Sequence, residues 1–224
     1  MTTSDALQTA DQLEQELQSL ELVKELRGKV DPSDLQGWYE TRPASRSLSP
    51  HSLMVTTLRS PSLIAIPPLA FARCDESAAV LIYHLGESLC GHEGIIHGGI
   101  IATILDDSLA RNAFLSLPSK TGVTASLNIS YLKPTKTNQF IVVRTQLESI
   151  QGRKAIVNGQ IEDLAGNVLA KATGLFIEPR NAQVLSDSRL LAIWGERPSI
   201  STNDTTETTD SAGGDTDGKI DPVV

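Results

Sequence analysis

The stretch Cys90-Gly91-His92-Glu93-Gly94-Ile95-Ile96-His97-Gly98-Gly99-Ile100-Ile101-Ala102-Thr103-Ile104-Leu105-Asp106-Asp107 decides how the rest of this chain is read. A glycine-punctuated loop runs into an apolar segment, and the spacing predicts a helix from about His97 to Leu115. The first N–H groups of a helix have no intrahelical acceptor and sit at its positive dipole end. With Gly98 and Gly99 there, no side chain screens those donors from a ligand oxygen, either a carbonyl gaining negative charge or a phosphate. The same glycine pair also fits plain close packing, so the motif alone leaves both readings open.

The acid pair Asp106-Asp107 ends the apolar run. An ionised carboxylate buried without a partner costs several kcal/mol by rough estimate, so at least one of the two is exposed or employed. Asp107 has a local explanation in Arg111, four residues on in the favourable acid-before-base order. Asp106 has none; its neighbours on that face are Ala102, Thr103 and Ala110, and a desolvated carboxylate of raised pKa is the expectation there. Gly98 and Asp106 are eight residues apart, ~12 Å along one helix axis. One small substrate cannot span both groups of a single chain, which implies two helices running antiparallel across a two-fold axis.

Outward from the helix, Ala79–Leu85 reads as a strand before it. Val123–Leu132, Gln139–Leu147, Lys154–Glu162 and Val168–Ile177 read as four strands after it. Their breaks carry turn chemistry at Lys133-Pro134-Thr135, Gln151-Gly152 and Asp163–Asn167. Leu63–Ile66 and Leu69–Ala72 look like strand pieces parted by Pro67-Pro68. One long helix and an antiparallel meander give an α+β fold with a sheet around a helix. The N-terminal part, 1–60, divides into an amphipathic helix over 5–28, capped at Ser4-Asp5 and stopped at Gly28, and an irregular Pro/Ser-rich arm over 31–60, pinned by Trp38 and Tyr39. The domain proper is 61–180. The C-terminal extension, 181–224, is expected to be disordered from about 199, where six acids face Lys219 alone.

The 224 residues carry a net charge of −8, with 40% hydrophobic and 21% charged residues. That supports a packed core and argues against a nucleic-acid-binding field. Cys74 and Cys90 have neither metal-type nor CxxC spacing, so no metal or disulfide framework is expected. Six acids against Lys24 in the first 25 residues suit neither a secretory nor a transit sequence. No apolar stretch is long enough for a bilayer. Cytoplasmic residence is the expectation, with mitochondrial residence left open.

His97-Gly98-Gly99, the apolar run to Asp106, Thr124–Tyr131, Lys133-Pro134 and Gly152-Arg153-Lys154 together resemble the HGG-type hotdog acyl-CoA thioesterases. Within these the likeness is to the thioesterase superfamily member 4 group and its fungal relatives, over residues 75–178. The resemblance implies a hotdog fold and hydrolysis of an acyl-CoA in fatty-acid or lipid metabolism. It also implies a homodimer or dimer of dimers, and no cofactor beyond the coenzyme A of the substrate. It gives Asp106 the role of general base or nucleophile, the Gly98 N–H that of carbonyl donor, and Thr124 that of the positioning hydroxyl. Arg153 and Lys154 match residues that meet the CoA phosphates; Ser130 stands where relatives carry a CoA-contacting asparagine. His97 and Gly99 complete the substrate-binding set, with His97 read as structural. Gly91 stands where some relatives place an asparagine that holds the water, so base and nucleophile both stay open. Two other readings stand beside this one. A hotdog hydratase or dehydratase would want a histidine C-terminal to Asp106, whereas all four histidines precede it. A non-catalytic acyl-CoA-binding module would keep the fold and lose the chemistry.

Overall fold

The computed structural model describes residues 9–31, 33–34, 36–42 and 51–181. Seven antiparallel strands form the main sheet: β1 (Trp38–Thr41), β2 (Leu69–Arg73), β3 (Ala78–Leu85), β6 (Val123–Tyr131), β7 (Gln139–Gln151), β8 (Lys154–Asp163) and β9 (Val168–Ile177), in the order β1-β2-β3-β7-β8-β9-β6. A short hairpin, β4 (Cys90–His92) with β5 (Ile95–Ile96), precedes the long helix α3 (Gly98–Ser116). The expected helix and the strands on either side of it are therefore present.

α3 packs on the inner face of the sheet. Ile101, Ile104, Leu105, Leu109 and Ala113 join Leu81, Tyr83, Ile141, Val143, Val157 and Phe176 in one buried cluster. Gly159 lets the helix come close: a Cβ there would stand 3.1 Å from both the Leu109 side chain and the Arg144 carbonyl oxygen. The outer face carries a second cluster, under α1 (Ala10–Ser19) and α2 (Glu21–Arg27). Leu13, Leu17, Val23 and Leu26 cover Phe71, Val80, Ile82, Phe140 and Val142. This explains why Ala79–Leu85 reads as a near-continuous apolar run, interrupted only by His84, rather than an alternation. Val80 and Ile82 face the outer cluster, while Leu81, Tyr83 and Leu85 face the inner one. Fully burying each such side chain stabilises the fold by about 1.5–3 kcal/mol.

Several local expectations change. The helix over 5–28 is two helices, broken at Leu20, where ψ is 132°. Thr9 caps α1 in a reciprocal pair with Gln12, and Gly28 ends α2 as foreseen. The cap expected at Ser4-Asp5 lies outside the described residues, as does the tail beyond 181. The arm over 31–60 is not wholly irregular: Trp38–Thr41 pairs with β2 as the edge of the sheet, and Leu53–Thr57 forms a π-helical turn. Leu63–Ile66 forms no strand, although Ile64 and Ile66 are buried. Pro67 and Pro68 follow directly, and neither has an N–H to give a ladder.

A polar network ties β1 to the C-terminal half of α3. Arg111 Nη1 donates to Glu76 Oε2 at 2.9 Å and Nη2 to the Tyr39 hydroxyl at 2.7 Å, while that hydroxyl donates to Glu76 Oε1. Asn112 Nδ2 donates to the Glu76 carbonyl at 2.9 Å and accepts from Thr145 through Oδ1. Glu76 holds a left-handed backbone, φ 57°, to present both ends of itself to this network.

Candidate active site

α3 begins at a side-chain cap. His97 Nδ1 accepts the Gly99 N–H at 2.9 Å, and Thr103 Oγ1 donates to the Gly99 carbonyl at 2.8 Å. The Gly99 N–H is thereby committed, and His97 acts as the helix cap. The Gly98 N–H has no acceptor among the described residues, and Gly98 is exposed. It is the donor that the glycine-rich loop leaves outward. Gly91 lies against the same histidine: a Cβ there would approach the His97 ring and Cα to 3.0–3.1 Å.

Two turns further along α3, Thr124 Oγ1 donates to Asp106 Oδ1 at 2.9 Å. A hydrogen bond to a charged acceptor contributes about 1.5–3 kcal/mol and fixes the carboxylate's orientation. Thr124 reaches it through a bulge. In the pairing of β6 with β9, Thr124 faces Phe176 and Ser126 faces Leu175, so Ala125 is the extra residue. Without that insertion the alternation that puts Leu127, Ile129 and Tyr131 on the inner face would turn Thr124 outward. The bulge re-aims it at the helix. At the other end of β6, the Tyr131 hydroxyl donates to the Gly98 carbonyl at 3.0 Å. The edge strand is fastened to α3 at both Gly98 and Asp106.

Asp107 is where the structure corrects the sequence reading. Its expected partner Arg111 is buried and turned to Glu76 and Tyr39, and the cation that acts on Asp107 is Arg59. Asp107 is also the desolvated member of the acid pair. Burial first, then the neighbouring Asp106 charge, pushes its carboxyl up to about 7, with Arg59 opposing. Nearby, the hydroxyls of Tyr83 and Ser108 lie 3.2 Å apart.

Lys154 pairs with Ile177, which pairs with Val123, so Arg153 and Lys154 lie at the Thr124 end of the sheet. Arg153 Nη1 donates to the Glu178 carbonyl at 2.9 Å. Ser130 points away: it lines a groove of about 710 Å³ on the outer face, with Asn128, Arg144, Asn158 and Lys171. The structure brings Asp106 to Thr124 and His97 to Gly99, and leaves Ser130 on the opposite face from Thr124. No local signal in the sequence gives Tyr131 a role. Its inward direction follows from the alternation with Leu127 and Ile129, and its bond to Gly98 is made only by the tertiary packing.

The model of the thioesterase superfamily matches residues 93–170, which hold α3, β6, β7, β8 and the start of β9. The UPF0644 protein of Schizosaccharomyces pombe is 38% identical over 182 residues, covering 78% of this chain and 68% of that protein. The chain belongs to the thioesterase superfamily, with the hotdog fold described above. The uncharacterized mitochondrial membrane protein FMP10 of Saccharomyces cerevisiae is 37% identical over 127 residues, 55% of this chain and 52% of that protein. Acyl-coenzyme A thioesterase THEM4 of Mus musculus is 38% identical over 104 residues, 46% of this chain and 44% of that protein. The chain thus spans about half the length of the latter two.

Proposed function

We propose that this protein hydrolyses acyl-CoA thioesters to the free acid and CoA. Asp106 is the catalytic carboxylate, and the Gly98 N–H of a second subunit polarises the thioester carbonyl. The observation that carries the reading is the 2.9 Å hydrogen bond from Thr124 to Asp106 Oδ1, which holds one carboxylate oxygen and leaves the other to act. As general base, Asp106 takes a proton from water while the hydroxide forms the C–O bond. The oxyanion gathers its charge against the Gly98 N–H, and collapse breaks the C–S bond. The departing thiolate then recovers the proton from Asp106. As nucleophile, Asp106 attacks the carbonyl carbon, the C–S bond breaks and CoA leaves as thiolate; water then hydrolyses the acyl anhydride, freeing the acid and Asp106, and gives up the proton the thiolate takes.

The two-chain arrangement is supported by the sheet order. β6 is the last strand, and its exposed residues include Val123 and Tyr131. Joining two copies along that edge would set the α3 helices antiparallel, with Asp106 of each near Gly98 of the other. Arg153 and Lys154 are the proposed phosphate contacts at the Thr124 end, and no cofactor is required. The name of the FMP10 relative favours the mitochondrial alternative over the cytoplasmic one. Among the described residues no helix is long and apolar enough to cross a membrane.

Acyl-CoAs of graded chain length, read by colorimetric release of thiol, test the reading. Hydrolysis by the wild type that disappears in Asp106→Asn is the expected result. Turnover of no acyl-CoA, with binding retained, would leave a non-catalytic acyl-CoA-binding module instead.

A further inference from the structure

The first turn of α3 is held from three sides. His97 Nδ1 takes the Gly99 N–H, Thr103 Oγ1 holds the Gly99 carbonyl, and the Tyr131 hydroxyl holds the Gly98 carbonyl at 3.0 Å. The first two come from α3 and its own cap, so they travel with the helix. Tyr131 comes from β6, and its hydrogen bond therefore sets where the helix N-terminus stands relative to the sheet. Its ring lies against Gly98, where a Cβ would meet ring atoms at 3.6–3.7 Å. Together with Ile95, Ile101, Leu132 and Pro134 it also walls a cleft of about 330 Å³ beside Gly98. That cleft is backed by a loop tied down through its backbone: the Ile96 N–H donates to the Thr135 carbonyl at 2.9 Å and the Thr137 N–H to the Gly94 carbonyl at 3.1 Å. Tyr131 is nevertheless 56% exposed, so burial does not account for its place.

We infer that Tyr131 is a positioning residue for the Gly98 amide, bracing the helix N-terminus against β6 so that the free N–H meets a carbonyl seated at the mouth of this cleft. The inference rests on the thioesterase reading of Asp106 and Gly98 but concerns a different residue and step. An oxyanion donor works through distance and angle, and losing such a donor costs about 10²–10³ in rate. Loosening one costs less, since the amide itself remains.

Two measurements on the full-length protein separate this role from a structural one. In steady-state hydrolysis, Tyr131→Phe keeps the ring and removes only the hydroxyl. It should lower kcat roughly tenfold with KM for the same acyl-CoA unchanged and the melting temperature unmoved. Equal kcat in Tyr131→Phe, or a fall in kcat matched by a fall in melting temperature, would overturn the inference. The second readout needs no turnover. In protein labelled with ¹⁵N-glycine, the Gly98 amide is assigned by its loss in Gly98→Ala. It is then followed on adding an acyl-CoA analogue with a methylene in place of sulfur, which keeps the carbonyl but cannot be hydrolysed. The wild-type Gly98 signal should move downfield, and Tyr131→Phe should at least halve that movement at equal affinity. An undiminished movement in Tyr131→Phe would refute the role of Tyr131 even if the wild type proved inactive. Absent hydrolysis with a movement that depends on Tyr131 would refute only the thioesterase reading.

Discussion

The two halves of α3 treat their polar groups in opposite ways. In the C-terminal half, Arg111 and Asn112 are buried and bonded to Glu76, Tyr39 and Thr145. Among the described residues, in the N-terminal half, Gly98 keeps an N–H without an acceptor and Asp106 holds a single hydrogen-bond partner, Thr124, at a part-exposed surface. Buried polar groups must be satisfied, since each orphan costs roughly 1–3 kcal/mol. The buried half is accordingly an anchor, and the open half is free to spend its donors and acceptors on a ligand. If that division is right, substitutions in the open half change chemistry without touching stability, and those in the buried half do the reverse.

The sharpest way to break the comparison is Asp106→Asn. It should lower kcat for acyl-CoA hydrolysis by about 10²–10⁴, the range of a lost acid–base group, with an unchanged melting curve. A large loss of stability instead would put Asp106 on the structural side. Next in size is Arg111→Ala, which leaves the Glu76 carboxylate without its cation. Breaking a buried pair by removing one partner costs about 3–5 kcal/mol, so chemical denaturation should report a loss of that order. A loss below about 1 kcal/mol would mean that the network does not anchor the helix.

Thr124→Val tests the open half more gently. It keeps the branched shape and removes the donor to Asp106, and kcat should fall at least roughly tenfold, about 1.4 kcal/mol or more, in line with the loss of one hydrogen bond to a charged acceptor. The smallest effect is expected at the border between the halves. Asp107 has a folded pKa raised from the usual carboxylate range to about 7, so its protonated form is the one the fold favours. Its stabilising contribution is present in acid, is lost as pH rises from about 4 to about 7, and stays lost above that. Asp107→Asn should therefore raise the melting temperature at pH 8 by at least ~2–4 °C, the shift of about 1 kcal/mol in a chain of this size, and leave it unchanged near pH 4. A gain that persists in acid would assign the effect to packing rather than to charge.

Position in the chain explains which elements were legible. α3 announces itself because its cap, glycines and apolar run are contiguous, and β9 reads at its true bounds because turn residues flank it. β1 is hidden: four residues in a Pro/Ser-rich stretch pair with a strand some thirty residues on, and Tyr39 is pinned by Glu76 and Arg111 from two other elements. The pairing of Asp107 with Arg111 failed for a related reason. An i, i+4 contact is worth only ~0.3–0.5 kcal/mol and yields to any buried partner the fold supplies.

What the amino-acid sequence determined by itself is local: a helix opened by two glycines, an acid pair at its middle, and the periodicity of the strands beyond. Each depends on neighbours within a few residues, where propensity and spacing govern. Which of the two aspartates is desolvated, which face Thr124 takes after the Ala125 bulge, and what Tyr131 holds were decided by tertiary structure alone. A single inserted residue reverses the face of every side chain on one side of it, and no local pattern in the strand reports that reversal.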